Sequence, residues 1–105
     1  MERICFILKL RPECIEEYVE RHINVWPEMQ AALQETGWGN YTIFLASGGL
    51  LIGYMETKDF DEARRRMKAL CINDQWQAEM VPHFDLSGEH ADDSMLPLQQ
   101  VFRLD

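Results

Sequence analysis

The chain has 105 residues, 47% of them hydrophobic and 27% charged, with 10 Lys and Arg against 18 Asp and Glu and a formal net charge of -8. A chain of this size closes one hydrophobic core, so residues 1–105 read as a single domain, and the apolar fraction excludes an intrinsically disordered chain. The acidic balance excludes a surface that grips nucleic acid or an anionic membrane through accumulated Lys and Arg contacts.

The run Arg64, Arg65, Arg66 with Lys68 reads as a solvated helix face. No segment approaches the roughly 18 apolar residues of a membrane helix. Glu2 and Arg3 lead straight into a strand-like run without the apolar core of a signal peptide. Cys5, Cys14 and Cys71 share no CxxC spacing and are odd in number, which suits a reducing, cytoplasmic setting rather than a disulfide framework or a zinc site.

In chain order, residues 3–10 alternate, with Ile4, Phe6, Leu8 and Leu10 on one face, and predict a strand. Pro12 opens a helical stretch whose stripe runs Ile15, Val19, His22, Trp26, Met29 and Leu33, with a bend expected at Pro27. Gly37 and Gly39 end it. Tyr41–Ala46 and Leu50–Thr57 then read as two strands joined by a Gly48-Gly49 turn. Asp59, followed three residues later by Glu62, resembles a helix N-cap, and Phe60, Ala63, Met67 and Leu70 supply the buried stripe behind it. A shorter helical piece after Asn73 carries Trp76, Met80 and Val81 until Pro82 stops it. Residues 85–96 form a polar loop, and Leu98–Leu104 alternates as a fourth strand.

The resulting order βαββαβ predicts an α+β, ferredoxin-like fold: a four-stranded antiparallel sheet with its helices on one face. Cys5, Ile7, Phe44, Met55 and Val101 cannot all lie under those helices, so the second sheet face needs a cover. A second copy of the chain is the simplest one, giving a symmetric homodimer of the dimeric α/β barrel type.

His22 is the most informative single residue. Tyr18 lies four residues before it and Trp26 four after, so a phenol, an imidazole and an indole share a helix face that ordinarily holds Leu and Ile. A core histidine satisfied by a neighbour would show the same pattern. Tyr41 opens a strand, where side chains often line a site. Trp76, flanked by Gln75 and Gln77, suits a polar ligand with apolar C–H faces, although a tryptophan capping the core would look the same. His83 and Asp85 could pair, and His90 lies in the polar loop. No nucleophile triad, phosphate loop or metal spacing stands out, which leaves acid-base chemistry with no metal and no cofactor.

The string Tyr18, Arg21-His22, Trp26-Pro27-Glu28, Asn40-Tyr41 with Ile43 and Leu45, Trp76 with Met80, and Leu98, Val101-Phe102 and Leu104 closely resembles the L-rhamnose mutarotase family over nearly the whole chain. The resemblance implies a dimeric enzyme that interconverts the α and β anomers of L-rhamnose. It also implies that His22 is the general acid and that Tyr18, Tyr41 and Trp76 contact the sugar, with Trp26 a further candidate for the pocket wall. Gln77 stands where the family usually has a second tryptophan, and Ile23 stands where it usually has Asn. Gln77 at that contact position trades apolar contact for hydrogen bonding, which would favour a different stereoisomer or a more hydroxylated sugar.

The chemistry suits those residues. Mutarotation moves a proton off the anomeric hydroxyl and onto the ring oxygen, and an imidazole titrates nearest neutrality. The same fold also hosts small binding or stress-related modules, in which Tyr, His and Trp would clamp a ligand without turnover, and haem-handling oxygenases, in which His22 or His83 would ligate haem.

Overall fold

The computed structural model describes residues 1–85 and 96–104; most of the loop expected at 85–96, His90 included, lies outside the described residues. Its strands are β1 (Glu2–Lys9), β2 (Gly39–Ala46), β3 (Leu50–Thr57) and β4 (Leu96–Pro97), and its helices α1 (Ile15–Ile23), α2 (Pro27–Glu35), α3 (Phe60–Lys68) and α4 (Cys71–Met80). This is a small α+β fold. The strands lie in the order β2-β3-β1-β4, and every pairing among them is antiparallel.

Alternation sorts the sheet into two faces. Phe6 pairs with Gly53, Leu8 with Leu51 and Ile4 with Met55, so these residues share the face that the helices cover, where Phe6, Leu8, Leu51 and Met55 are buried. The helices close this core with Tyr18, Met29, Ala63, Met67, Trp76 and Met80. On the opposite face a row runs from Phe44 through Ile52 to Ile7, and Phe44 is 60% exposed. Of the five residues that could not all lie under the helices, Met55 is on the core face and buried, while Ile7 and Phe44 are on the open one.

Local chemistry explains the element ends. Asp59 caps α3 with its side chain, Oδ1 accepting from the Glu62 backbone N–H at 3.1 Å. Gly48 and Gly49 turn between β2 and β3 with φ of 85° and 91°, which a side chain would resist. Pro27 does not bend one long helix. It stands at the first position of α2, where its missing N–H costs no helical bond, and residues 24–26 separate α2 from α1. Val19, expected in the buried stripe, is 44% exposed because the inner face of α1 turns on Tyr18 instead.

The fourth strand is also shorter than expected and lies elsewhere. Three long strands carry the sheet; β4 contributes two residues, and Leu98–Leu104 forms no strand. Pro97 has no N–H to donate to a ladder, and after Leu98 donates to the Cys5 carbonyl at 2.7 Å the chain leaves β1. Val101, Phe102 and Leu104 are exposed.

One irregularity shapes the site. Gly39 pairs with Glu56 but Thr42 pairs with Tyr54, so β2 carries one extra residue there, a β-bulge with Asn40 at φ 47°. Residues three apart on an unbroken strand point to opposite faces. The bulge lets Trp38 and Tyr41 both turn to the core face, with ring centroids 5.1 Å apart.

Candidate active site

A cavity of about 430 Å³ opens between α1, α2, α4 and the core face of the sheet. That volume lies within the roughly 300–1,000 Å³ typical of small-molecule sites. Tyr18 and His22 from α1, Tyr41 from β2, and Trp76 and Gln77 from α4 all line it. Trp26 does not. It stands behind the wall, its ring edge-on to Trp76 at 5.1 Å between centroids, because the break before Pro27 takes it off the α1 face that carries His22.

Helical spacing brings the first two groups together. Tyr18 and His22 are one turn apart and their rings stack at 4.0 Å, while the Trp76 ring stands nearly perpendicular to His22 with centroids 5.5 Å apart. His22 Nδ1 lies 2.9 Å from the Tyr18 carbonyl oxygen. A carbonyl can only accept, so Nδ1 carries the hydrogen and donates it. Nε2 of the neutral ring therefore keeps its lone pair. Burial lowers the His22 pKa below 6.5; the hydrogen bond to Tyr18 pulls the other way and the nearby His83 adds to the lowering. The imidazole is thus neutral at physiological pH and able to take a proton. Burial pushes the Tyr18 phenol upward, so its hydroxyl stays protonated and serves as a donor.

α4 supplies the opposite wall. Asn73, Trp76, Gln77 and Met80 form its buried stripe, with Asn73 fully enclosed. Gln77 Nε2 donates to Asn73 Oδ1 at 3.3 Å, but Gln77 Oε1 is buried with no hydrogen-bond partner among the described residues. An unsatisfied buried acceptor of this kind costs about 1–3 kcal/mol.

His83 does not pair with Asp85. Its Nδ1 donates to the Met80 carbonyl at 3.2 Å, and its Nε2 stands 3.4 Å from Glu17 Oε2, close enough for attraction when the ring is charged but without a well-formed hydrogen bond. Arg21 reaches from α1 to Glu79 on α4 at 3.3 Å, linking the two helices that face each other across the cavity.

Trp38 and Asn73 are among the lining residues that the sequence did not single out for the site. Trp38 lines the cavity because of the bulge and donates from Nε1 to the Ala63 carbonyl at 3.3 Å; the Gly37-Trp38-Gly39-Asn40 cluster at the start of β2 is the signal that marks it. Asn73 lines it because α4 begins at Cys71, so that Asn73 lies within the helix rather than before it.

A family model for L-rhamnose mutarotase matches residues 3–104. The chain belongs to the L-rhamnose mutarotase family. L-rhamnose mutarotases from Oceanobacillus iheyensis and Bacillus subtilis are 37% and 33% identical to it, each over 100% of both chains, and one from Escherichia coli is 34% identical over 99% of both. The crystal structure of an L-rhamnose mutarotase from Formosa agariphila superposes with a TM-score of 0.79 at 25% identity, covering 100% of both chains. A protein from Methanosarcina mazei, 14% identical with a TM-score of 0.54 over 81% of this chain and 82% of its own, shares the fold alone.

Proposed function

We propose that this member of the L-rhamnose mutarotase family interconverts the α and β anomers of L-rhamnose or a closely related deoxy sugar, with His22 moving the proton. The observation that carries this reading is the fixed tautomer of His22, whose Nδ1 is held by the Tyr18 carbonyl, in a cavity of monosaccharide size.

The neutral ring accepts the anomeric proton at Nε2. The resulting imidazolium then acts as the general acid: it returns that proton to the ring oxygen as the bond from the anomeric carbon to that oxygen breaks and the carbonyl forms. Atoms and charge balance within the sugar and one imidazole, so the step requires no co-reactant. Rotation about the bond next to the aldehyde and the same steps in reverse give the other anomer. Such acid-base assistance contributes about 10²–10⁴ in rate.

Tyr18 donates to a sugar oxygen from the helix side, Tyr41 approaches from the sheet side, and Trp76 offers an apolar face to the C–H groups and the deoxy methyl. The cytoplasmic setting expected for such an enzyme is supported by three free cysteines. No helix among the described residues is long and apolar enough to cross a membrane.

We also propose that the working form is a homodimer joined through the open sheet face. Ile7, Phe44, Val101, Phe102 and Leu104 leave apolar surface uncovered on one protomer, and a second copy supplies the same chemistry in return. Saturation-transfer NMR between anomers, run over L-rhamnose, L-fucose and common aldoses, tests the reaction. Exchange above the buffer rate for at least one sugar is expected; binding without exchange would leave only a ligand-binding module.

A further inference from the structure

We infer that Gln77, held by Asn73, is a specificity-determining residue whose free amide oxygen accepts a hydrogen bond from one hydroxyl of the sugar, an inference that rests on the mutarotase reading above. The inner stripe of α4 runs Asn73, Trp76, Gln77 and Met80, so two amides stand where helix packing alone would favour apolar side chains. Gln77 is 6% exposed and Asn73 is 0% exposed, and both line the cavity.

The pair is oriented. Gln77 Nε2 donates to Asn73 Oδ1 at 3.3 Å, an orientation in which Oε1 has no donor among the described residues. An acceptor only, it matches a hydroxyl and nothing on a methyl or methylene group. A site of this kind discriminates strongly, because an analogue without the hydroxyl leaves the buried oxygen unpaired once the sugar has displaced water. The neighbouring Trp76 ring packs on C–H faces and cannot make that distinction.

The test compares L-rhamnose with its derivatives lacking the hydroxyl at C2, C3 or C4, each of which keeps the hemiacetal, and with L-mannose, which adds a hydroxyl at the methyl carbon. Two readouts are taken: anomer exchange at subsaturating sugar, and affinity from quenching of tryptophan fluorescence. In the wild-type protein, one hydroxyl position should change both readouts by about tenfold to a hundredfold. In Gln77→Met, of similar length but without the acceptor, that difference should vanish while the remaining sugars keep their ranking.

Equal behaviour of the wild-type protein toward every sugar overturns the inference, whether or not the variant folds. So does a Gln77→Met variant that slows all sugars alike or retains the discrimination. If the wild-type protein binds with the expected hydroxyl dependence but exchanges no anomers, the mutarotase reading fails and the amide contact stands.

Discussion

Gly53→Ala perturbs the packing beneath the cavity at a point where the structure sets the size of the effect. Gly53 lies opposite Phe6 on the core face, and a Cβ built there falls 2.5 Å from Phe6 Cε2 and 3.0 Å from Cε1. Carbon atoms pack best at about 3.5–4.0 Å, so the methyl is roughly 1 Å too close. Phe6 is 1% exposed, with its ring centroid 6.2 Å from that of Tyr41, and has no solvent to retreat into. Overpacking of this kind costs about 1–3 kcal/mol, which for a chain near this length lowers Tm by roughly 5–20 °C. Thermal melts followed by circular dichroism at fixed protomer concentration measure it. Adding Phe6→Leu should recover part of the loss, so that the double variant is more stable than the sum of the two single effects. An unchanged Tm in Gly53→Ala, or strict additivity, would refute the packing argument.

Two further outcomes follow from the site and the open face. Because the neutral form of His22 takes the proton and burial holds its pKa below 6.5, the exchange rate at subsaturating sugar should rise with pH through a midpoint below 6.5 and level off by neutrality; a rate that falls across that range would contradict the assigned order of proton transfers. The same sign holds for stability: the unfolded chain binds the proton more readily, so this group's contribution is full above 6.5 and is lost as pH falls toward the lower folded value. Phe44→Glu, on the sheet face away from the cavity, should convert a dimer to monomer in sedimentation measurements while the circular dichroism spectrum is kept, and a wild-type protein that sediments as a monomer at micromolar concentration would remove the dimer proposal.

Alternation and turn chemistry made β1, the β2–β3 hairpin and the Asp59 cap readable, because each depends on neighbours in sequence. The sharing of one helix face by Tyr18 and His22 was readable for the same reason. What escaped depended on contacts between distant segments. The inward turn of Trp38 needs an extra residue in β2 relative to β3, which no single-strand pattern encodes. The position of Trp26 depends on α1 ending before Pro27 rather than bending there. The alternation of Leu98–Leu104 states which residues seek cover but not that β1 already ends its ladder at Pro97. Gln77 was legible in the sequence as a candidate, and it lines the cavity, whereas its lack of a donor among the described residues became visible only with Asn73 placed beside it.

The central claim is that His22 carries the proton between the two oxygens of the hemiacetal. Saturation-transfer NMR of L-rhamnose anomers with wild-type protein and His22→Ala at equal concentration tests it most directly, with circular dichroism confirming that both are folded. The variant should lose about 10²–10⁴ of the catalysed exchange. Exchange in His22→Ala within a few-fold of wild type would place the proton transfer on another group.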